Sequence, residues 1–268
     1  MLKQRIITGI IYVAVIIAAV LKLPEFGFSI FAAAICIGCF LEWMHLAGVN
    51  KLIHKIIWTD LFIIGMFLTY WSPMVQLGLL AIACFVWSGI MAWLVFCQAK
   101  GKISPLSTRV IMSLAFFTLL PMFSGLLVIR EMPQGTMLIM MLFVLVWCSD
   151  TFAFIVGNLI GRHKIAPLLS PGKTVEGLVG AMVLTVFAMW AYYVFALNIP
   201  YQPGLIGMVM IAVLLSAVGD FFESALKRIR GVKDSGVLLP GHGGLLDRLD
   251  SLIALTPCLA FGLLRTIA

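Results

Sequence analysis

Residues 74–97 read MVQLGLLAIACFVWSGIMAWLVFC, a run without one charged side chain. As an α-helix such a run spans the ~30 Å hydrocarbon core of a bilayer. Eight further apolar stretches flank it, at about 6–23, 26–47, 56–71, 110–129, 136–157, 177–197, 204–222 and 245–264. The third is the shortest and carries Asp60, and the last has a polar start. None alternates apolar with polar residues, as a transmembrane β-barrel strand would, so the spans are read as helices. Composition agrees. Of 268 residues, 63% are hydrophobic and 11% charged, against ~45–50% and ~25% in soluble domains. So few charges cannot cover a soluble surface, which excludes a cytosolic enzyme, a secreted disulfide domain and a disordered regulator. The chain reads as an all-α polytopic membrane protein of about nine transmembrane helices.

Basic residues set the orientation. With nine spans, one side holds the N-terminus and the segments near 48–55, 98–109, 158–176 and 223–250. All 18 Lys and Arg except Lys22, Arg130 and Arg265 fall there. By the positive-inside rule that side is cytoplasmic, with the C-terminus opposite. One span more or fewer in the middle would scramble the segregation. The first stretch follows Lys3 and Arg5 as a signal peptide would, but Lys22-Leu23-Pro24 is a poor cleavage site, so it reads as a retained span. The net charge of +7 is mostly this bias and needs no nucleic acid to explain it. The six cysteines sit in apolar runs and read as buried thiols, Cys36-x-x-Cys39 included.

Acidic residues divide the chain. Residues 1–135 hold Glu25, Glu42, Asp60 and Glu131, and read as an N-terminal transmembrane scaffold. Residues 136–268 hold Asp150, Glu176, Asp220, Glu223, Asp234, Asp247 and Asp250, and read as a transmembrane catalytic region with cytosolic loops 158–176 and 223–250. An ionisable group at membrane depth costs roughly 2.5–3.5 kcal/mol or more, which makes it a functional candidate. Asp150, inside an apolar helix, is one.

Two further segments carry chemistry. Ser170-Pro171-Gly172-Lys173-Thr174 precedes the seventh span. It lacks the upstream glycines and strand of a nucleotide P-loop, yet a lysine beside a helix N-terminus suits a phosphate. The other runs from Gly219 to Asp250. If the eighth helix continues to about Arg230, Asp220, Ser224 and Lys227 share a face. Gly241, Gly243 and Gly244 then surround His242 and let backbone N–H groups approach an anion. Asp247 and Asp250 follow on one face of the ninth helix. Asp220 and Asp247 could thus meet at the cytosolic surface as oxygen ligands for Mg²⁺, with Lys227, Arg228, Lys233 and Arg248 around them. Metal, cations and positioned backbone donors are what phosphoryl transfer requires. His242 is either a phosphate contact or a structural loop residue. His45, His54 and His163 read as solvated at the cytosolic edge.

The stretch Ser224-x-Leu226-Lys227-Arg228, Lys233-Asp234-x-Gly236, Leu239-Pro240-x-His242-Gly243-Gly244, Asp247-Arg248-x-Asp250 resembles the signature of the phosphatidate cytidylyltransferase (CDP-diacylglycerol synthase) family. The likeness extends to 170–174 and Asp150. Three positions depart from the family pattern: Phe154 for Tyr, Asn158 for a basic residue and Val175 for Trp. The resemblance implies that CTP and phosphatidic acid give CDP-diacylglycerol and pyrophosphate with a divalent metal, usually Mg²⁺. The residues agree with this: Asp220 and Asp247 are expected to hold the metal, and Lys173, Lys227 and Arg228 to neutralise phosphate charge. Asp150, Ser170, Ser224, Lys233, Gly241, His242, Gly243, Gly244, Arg248 and Asp250 become the substrate-binding set. The expected setting is a bacterial inner membrane, or its organellar equivalent, with the site facing the cytoplasm. A second cation and a homodimer are left open by the sequence. The rival readings are another lipid-phosphate transferase and a secondary transporter of an anionic metabolite. Polar groups clustered at one face of one half favour an interfacial enzyme over a transporter.

Overall fold

The computed structural model describes residues 2–197, 204–236, 238 and 243–267. Gly241 and His242, two of the expected substrate contacts, lie outside them. Nine helices are described: α1 Leu2–Lys22, α2 Glu25–Leu46, α3 Leu52–Trp71, α4 Pro73–Ala99, α5 Thr108–Glu131, α6 Gly135–Ile160, α7 Val175–Phe195, α8 Gly204–Arg230 and α9 Leu246–Ile267. Seven of them, α2 to α8, are long and apolar enough to cross a membrane. Ile7–Lys22 of α1 is a shorter apolar helix, and α9 opens on Asp247, Arg248 and Asp250.

Local chemistry sets the helix starts. Ser72 accepts the Val75 N–H with Pro73 at the first helical position of α4, and Ser107 accepts the Val110 N–H at α5. Both satisfy one of the N–H groups that a helix start leaves unpaired. α5 is the axis of the bundle. Its span is 72% buried, against 17% for α3, and it packs on α2, α3, α4, α6 and α9. α3 therefore faces lipid with most of its surface.

Lipid tails are as apolar as leucine, so close packing and hydrogen bonds hold such helices together. Trp43 Nε1 donates to Ile111 O at 2.9 Å, and Phe40 stacks on Phe62 with centroids 4.2 Å apart. Arg130 donates to Val20 O, Leu23 O and Thr136 Oγ1, tying α1 to α5 and α6. α8 and α9 approach closely because Gly219 faces Asp250 O, where any Cβ would collide. That crossing brings the acids of the two helices together.

The segment between α6 and α7, read from sequence as part of a cytosolic loop, contains regular structure. β1 Lys164–Ala166 and β2 Ser170–Thr174 form a small antiparallel hairpin, with Lys164 opposite Thr174 and Ala166 opposite Ser170. Lys173 is thus mounted on a strand. Thr174 ends the strand and caps α7, accepting the Gly177 N–H at 3.1 Å.

Candidate active site

The polar side chains gather at one end of the bundle in two adjoining groups. The first joins α6, β2, α8 and α9. Lys173 Nζ forms an ion pair with Asp220 and lies 5.1 Å from the Phe221 ring centroid. Asp150 and Asp250 are close enough to interact electrostatically with both members of the pair. Burial alone would lower the Lys173 pKa, but the Asp220 carboxylate, with Asp150 and Asp250 nearby, outweighs it and raises the pKa above the ordinary value. Ser224, one turn along α8, donates to Asp220 Oδ1 at 3.4 Å. Asp250 Oδ1 accepts the Ser251 N–H at 2.7 Å.

The second group is a knot around Asp247. Its Oδ1 receives Lys227 Nζ at 2.7 Å. Its Oδ2 accepts the Ser235 N–H at 2.9 Å, the Ser235 hydroxyl at 3.0 Å and the Gly244 N–H at 2.8 Å. Lys227 also pairs with Glu223. Glu42, from α2, closes the knot from the far side: Oε1 accepts the Leu245 N–H at 3.0 Å, and Oε2 the Leu246 N–H at 2.8 Å and the Ser235 hydroxyl at 3.2 Å.

Two cavities open on these groups, and Asp150 lines both. One, of about 340 Å³, lies among α6, β2, α7 and α8, with Lys173, Asp220 and Asn158 in its wall. The other, of about 240 Å³, lies between α1 and α9, with Tyr12, Trp147, Asp247, Arg248 and Asp250. α1 and α2 therefore contribute site walls and an acid besides the outer scaffold.

The shared face of Asp220 and Ser224 is present as the helical spacing predicts. Asp220 and Asp247 are each held by a lysine, Lys173 and Lys227 respectively. The acids that face Asp220 electrostatically are Asp150 and Asp250. Gly243 takes φ +89° beside Asp247. The Gly244 N–H, expected to cradle a phosphate, donates to Asp247 instead. Arg228, Lys233 and Arg248 are exposed. Ser170 is paired with Ala166 in the hairpin. Glu42, Glu223 and Ser235 are the members that the sequence reading did not single out.

Hard carboxylate oxygens are suitable ligands for Mg²⁺, which typically takes one or two carboxylates and completes its shell with water and phosphate oxygens. Among the described residues no group of three or more His, Cys, Asp and Glu is arranged to hold a metal unaided. A two-carboxylate site would fit at Asp220, which Asp150 and Asp250 face, whereas both oxygens of Asp247, the partner expected from sequence, are taken up by Lys227, Ser235 and Gly244.

A family model described as the cytidylyltransferase family matches residues 3–265. A phosphatidate cytidylyltransferase of Haemophilus influenzae is 31% identical, over 97% of this chain and 98% of its own length. One from Pseudomonas aeruginosa is 33% identical, over 97% and 96%. One from Staphylococcus aureus is 40% identical across about half of each chain, 50% and 51%.

Proposed function

Because this chain belongs to the cytidylyltransferase family, we propose that it transfers the cytidylyl group of CTP to phosphatidate, giving CDP-diacylglycerol and pyrophosphate. The observation that carries the reading is the Lys173–Asp220 pair facing Asp150 and Asp250 at one end of an apolar bundle. It sets a cation and several carboxylates beside a cavity whose other walls are helices that lipid can reach.

In the reaction a phosphate oxygen of phosphatidate attacks the α-phosphorus of CTP. The bond from that phosphorus to the bridging oxygen breaks, and pyrophosphate leaves with the electron pair. The lipid phosphate is the nucleophile, so no covalent enzyme intermediate is required. Catalysis is then positioning and charge neutralisation. Lys173, cationic at neutral pH, binds phosphate oxygens once CTP displaces it from Asp220. Ser224 fixes the Asp220 carboxylate. Lys227 orients Asp247 through its 2.7 Å contact, and the exposed Arg228, Lys233 and Arg248 draw the anionic nucleotide toward the site. Asp150, between the two cavities, orients the substrates. Mg²⁺ would be held by Asp220 together with Asp250, an acid that faces it, and would supply neutralisation of triphosphate charge when bound. The acyl chains stay in the bilayer.

The protein is an integral membrane protein. The bacterial inner membrane, with the site on the cytoplasmic face, is the setting that its basic-residue bias supports. A cysteine in place of exposed Arg228 should react with a membrane-impermeant thiol reagent in inside-out vesicles and stay protected in right-side-out ones. The reaction itself is tested by pyrophosphate release from pure protein in mixed micelles. Release should need CTP, phosphatidic acid and Mg²⁺ together, and fail with ATP or without lipid. Release without lipid would sink the reading.

A further inference from the structure

Glu42 stands outside every motif of the C-terminal half, yet it meets that half at its most constrained point. The residue before α9 is Leu245, whose side chain cannot cap a helix, so the N–H groups at this start need an acceptor from elsewhere. Glu42 supplies it from α2, one carboxylate oxygen to Leu245 N and the other to Leu246 N. The fit is built on both sides. A Cβ at Gly236 or at Gly244 would run into the Glu42 carboxylate, and one at Gly38, a turn earlier on α2, would sit 2.9 Å from Leu245 Cδ2. Small residues thus let the loop close over the acid. The Ser235 hydroxyl lies 3.2 Å from Glu42 Oε2 and 3.0 Å from Asp247 Oδ2. Its single proton links a scaffold carboxylate to a site carboxylate.

We propose that Glu42 is a positioning residue: it clamps the start of α9 and thereby sets where Asp247, Arg248 and Asp250 stand for the nucleotide. The proposal rests on the cytidylyltransferase reading for its kinetic consequence and on the clamp geometry for its structural one. Glu42 does not touch substrate. It acts through two backbone N–H groups and one hydroxyl.

Glu42→Gln keeps the size but leaves one acceptor oxygen and turns an NH₂ donor toward a backbone N–H. Loss of one charge-assisted hydrogen bond corresponds to roughly tenfold to a hundredfold. The expected result is a KM for CTP raised about tenfold or more, with the KM for phosphatidate unchanged. A merely structural role would lower the active fraction, cutting apparent kcat and leaving both KM values alone. That result, or equal rises in both KM values, overturns the proposal. Hydrogen–deuterium exchange of the full-length variant in detergent gives the second readout. The amides of Leu245 and Leu246 should exchange faster while α5 keeps its protection. Unchanged exchange at the α9 start overturns the clamp whatever the kinetics. If wild-type protein releases no pyrophosphate, the reaction reading fails, and the exchange result alone decides whether Glu42 holds α9.

Discussion

Lys227 Nζ stands 2.7 Å from Asp247 Oδ1 and is also paired with Glu223, so one ammonium joins carboxylates from α8 and α9. The Lys227 and Glu223 side chains are 16% and 5% exposed, which makes this a buried pair and not a surface one. Removing one partner of a buried pair leaves uncompensated charge, at a cost of ~3–5 kcal/mol. Lys227→Met should therefore lower the thermal midpoint in detergent sharply and abolish turnover. Glu223→Gln, which leaves Lys227 with Asp247, should be milder in both. Equal stability of Lys227→Met and wild type would show that the bridge contributes nothing.

Asp220 and Asp247 should differ in what their amide variants reveal. Asp220 is 29% exposed, with Lys173 and Ser224 as partners, so Asp220→Asn should keep the fold and lose at least a hundredfold in rate. Asp247 collects four donors. Asp247→Asn should lose turnover and stability together, because an amide has one acceptor oxygen for those donors. Thermal unfolding beside pyrophosphate release separates the two. A fully stable Asp247→Asn would mean that the knot is not structural.

Lys173 should leave the alkaline side of the rate profile flat. Burial opposes its charge, but Asp220, Asp150 and Asp250 raise its pKa above the ordinary lysine value, itself ~10.4. A group whose folded pKa is raised stabilises fully below its unfolded pKa and loses that contribution as pH rises through the folded one. Between pH 7 and about 10 Lys173 should remain cationic. Normalised pH–rate profiles of wild type and Lys173→Arg should then superimpose over that window, whatever their absolute rates. An alkaline decline that the arginine variant removes would assign the titration to Lys173.

The sequence carried the helices further than the site. Long apolar runs and the segregation of Lys and Arg mark nine helices, and with α8 extended to Arg230 the shared face of Asp220 and Ser224 follows from helical spacing. The hairpin around Lys173 is hidden because Ser-Pro-Gly-Lys-Thr reads equally well as a turn. Glu42 was visible as an acid in an apolar run, the feature that draws attention to Asp150. It passes for scaffold because its partners are backbone N–H groups of Leu245 and Leu246, which no side-chain pattern announces. The Gly244 N–H shows the converse: a glycine-rich loop resembles an anion cradle, and here the anion that it meets is Asp247 of the chain itself.

Metal dependence should follow the same carboxylates. Chelation with EDTA should stop pyrophosphate release, and added Mg²⁺ should restore it. If Asp220 is a ligand, Asp220→Asn should need a higher Mg²⁺ concentration for half its residual maximum. Turnover that survives EDTA would remove the metal from the reaction, and an unchanged Mg²⁺ requirement would remove Asp220 from the metal.

Glycines at the loop offer a test in which added volume is the perturbation. At Gly244 a Cβ would meet Ser235 Oγ and the Glu42 carboxylate. Neither is a free end, since each is held by hydrogen bonds to the loop or the α9 start. They cannot yield without breaking the contacts that hold Asp247. Overpacking of this kind costs ~1–3 kcal/mol, so Gly244→Ala should lower the thermal midpoint and cut turnover well beyond the stability loss. Gly89 in α4 has nothing within 4 Å of its would-be Cβ, and alanine is the better helix former by ~1 kcal/mol. Gly89→Ala should be neutral or slightly stabilising with full activity. If the two variants behave alike, the tight closure of the loop over Glu42 has no bearing on function.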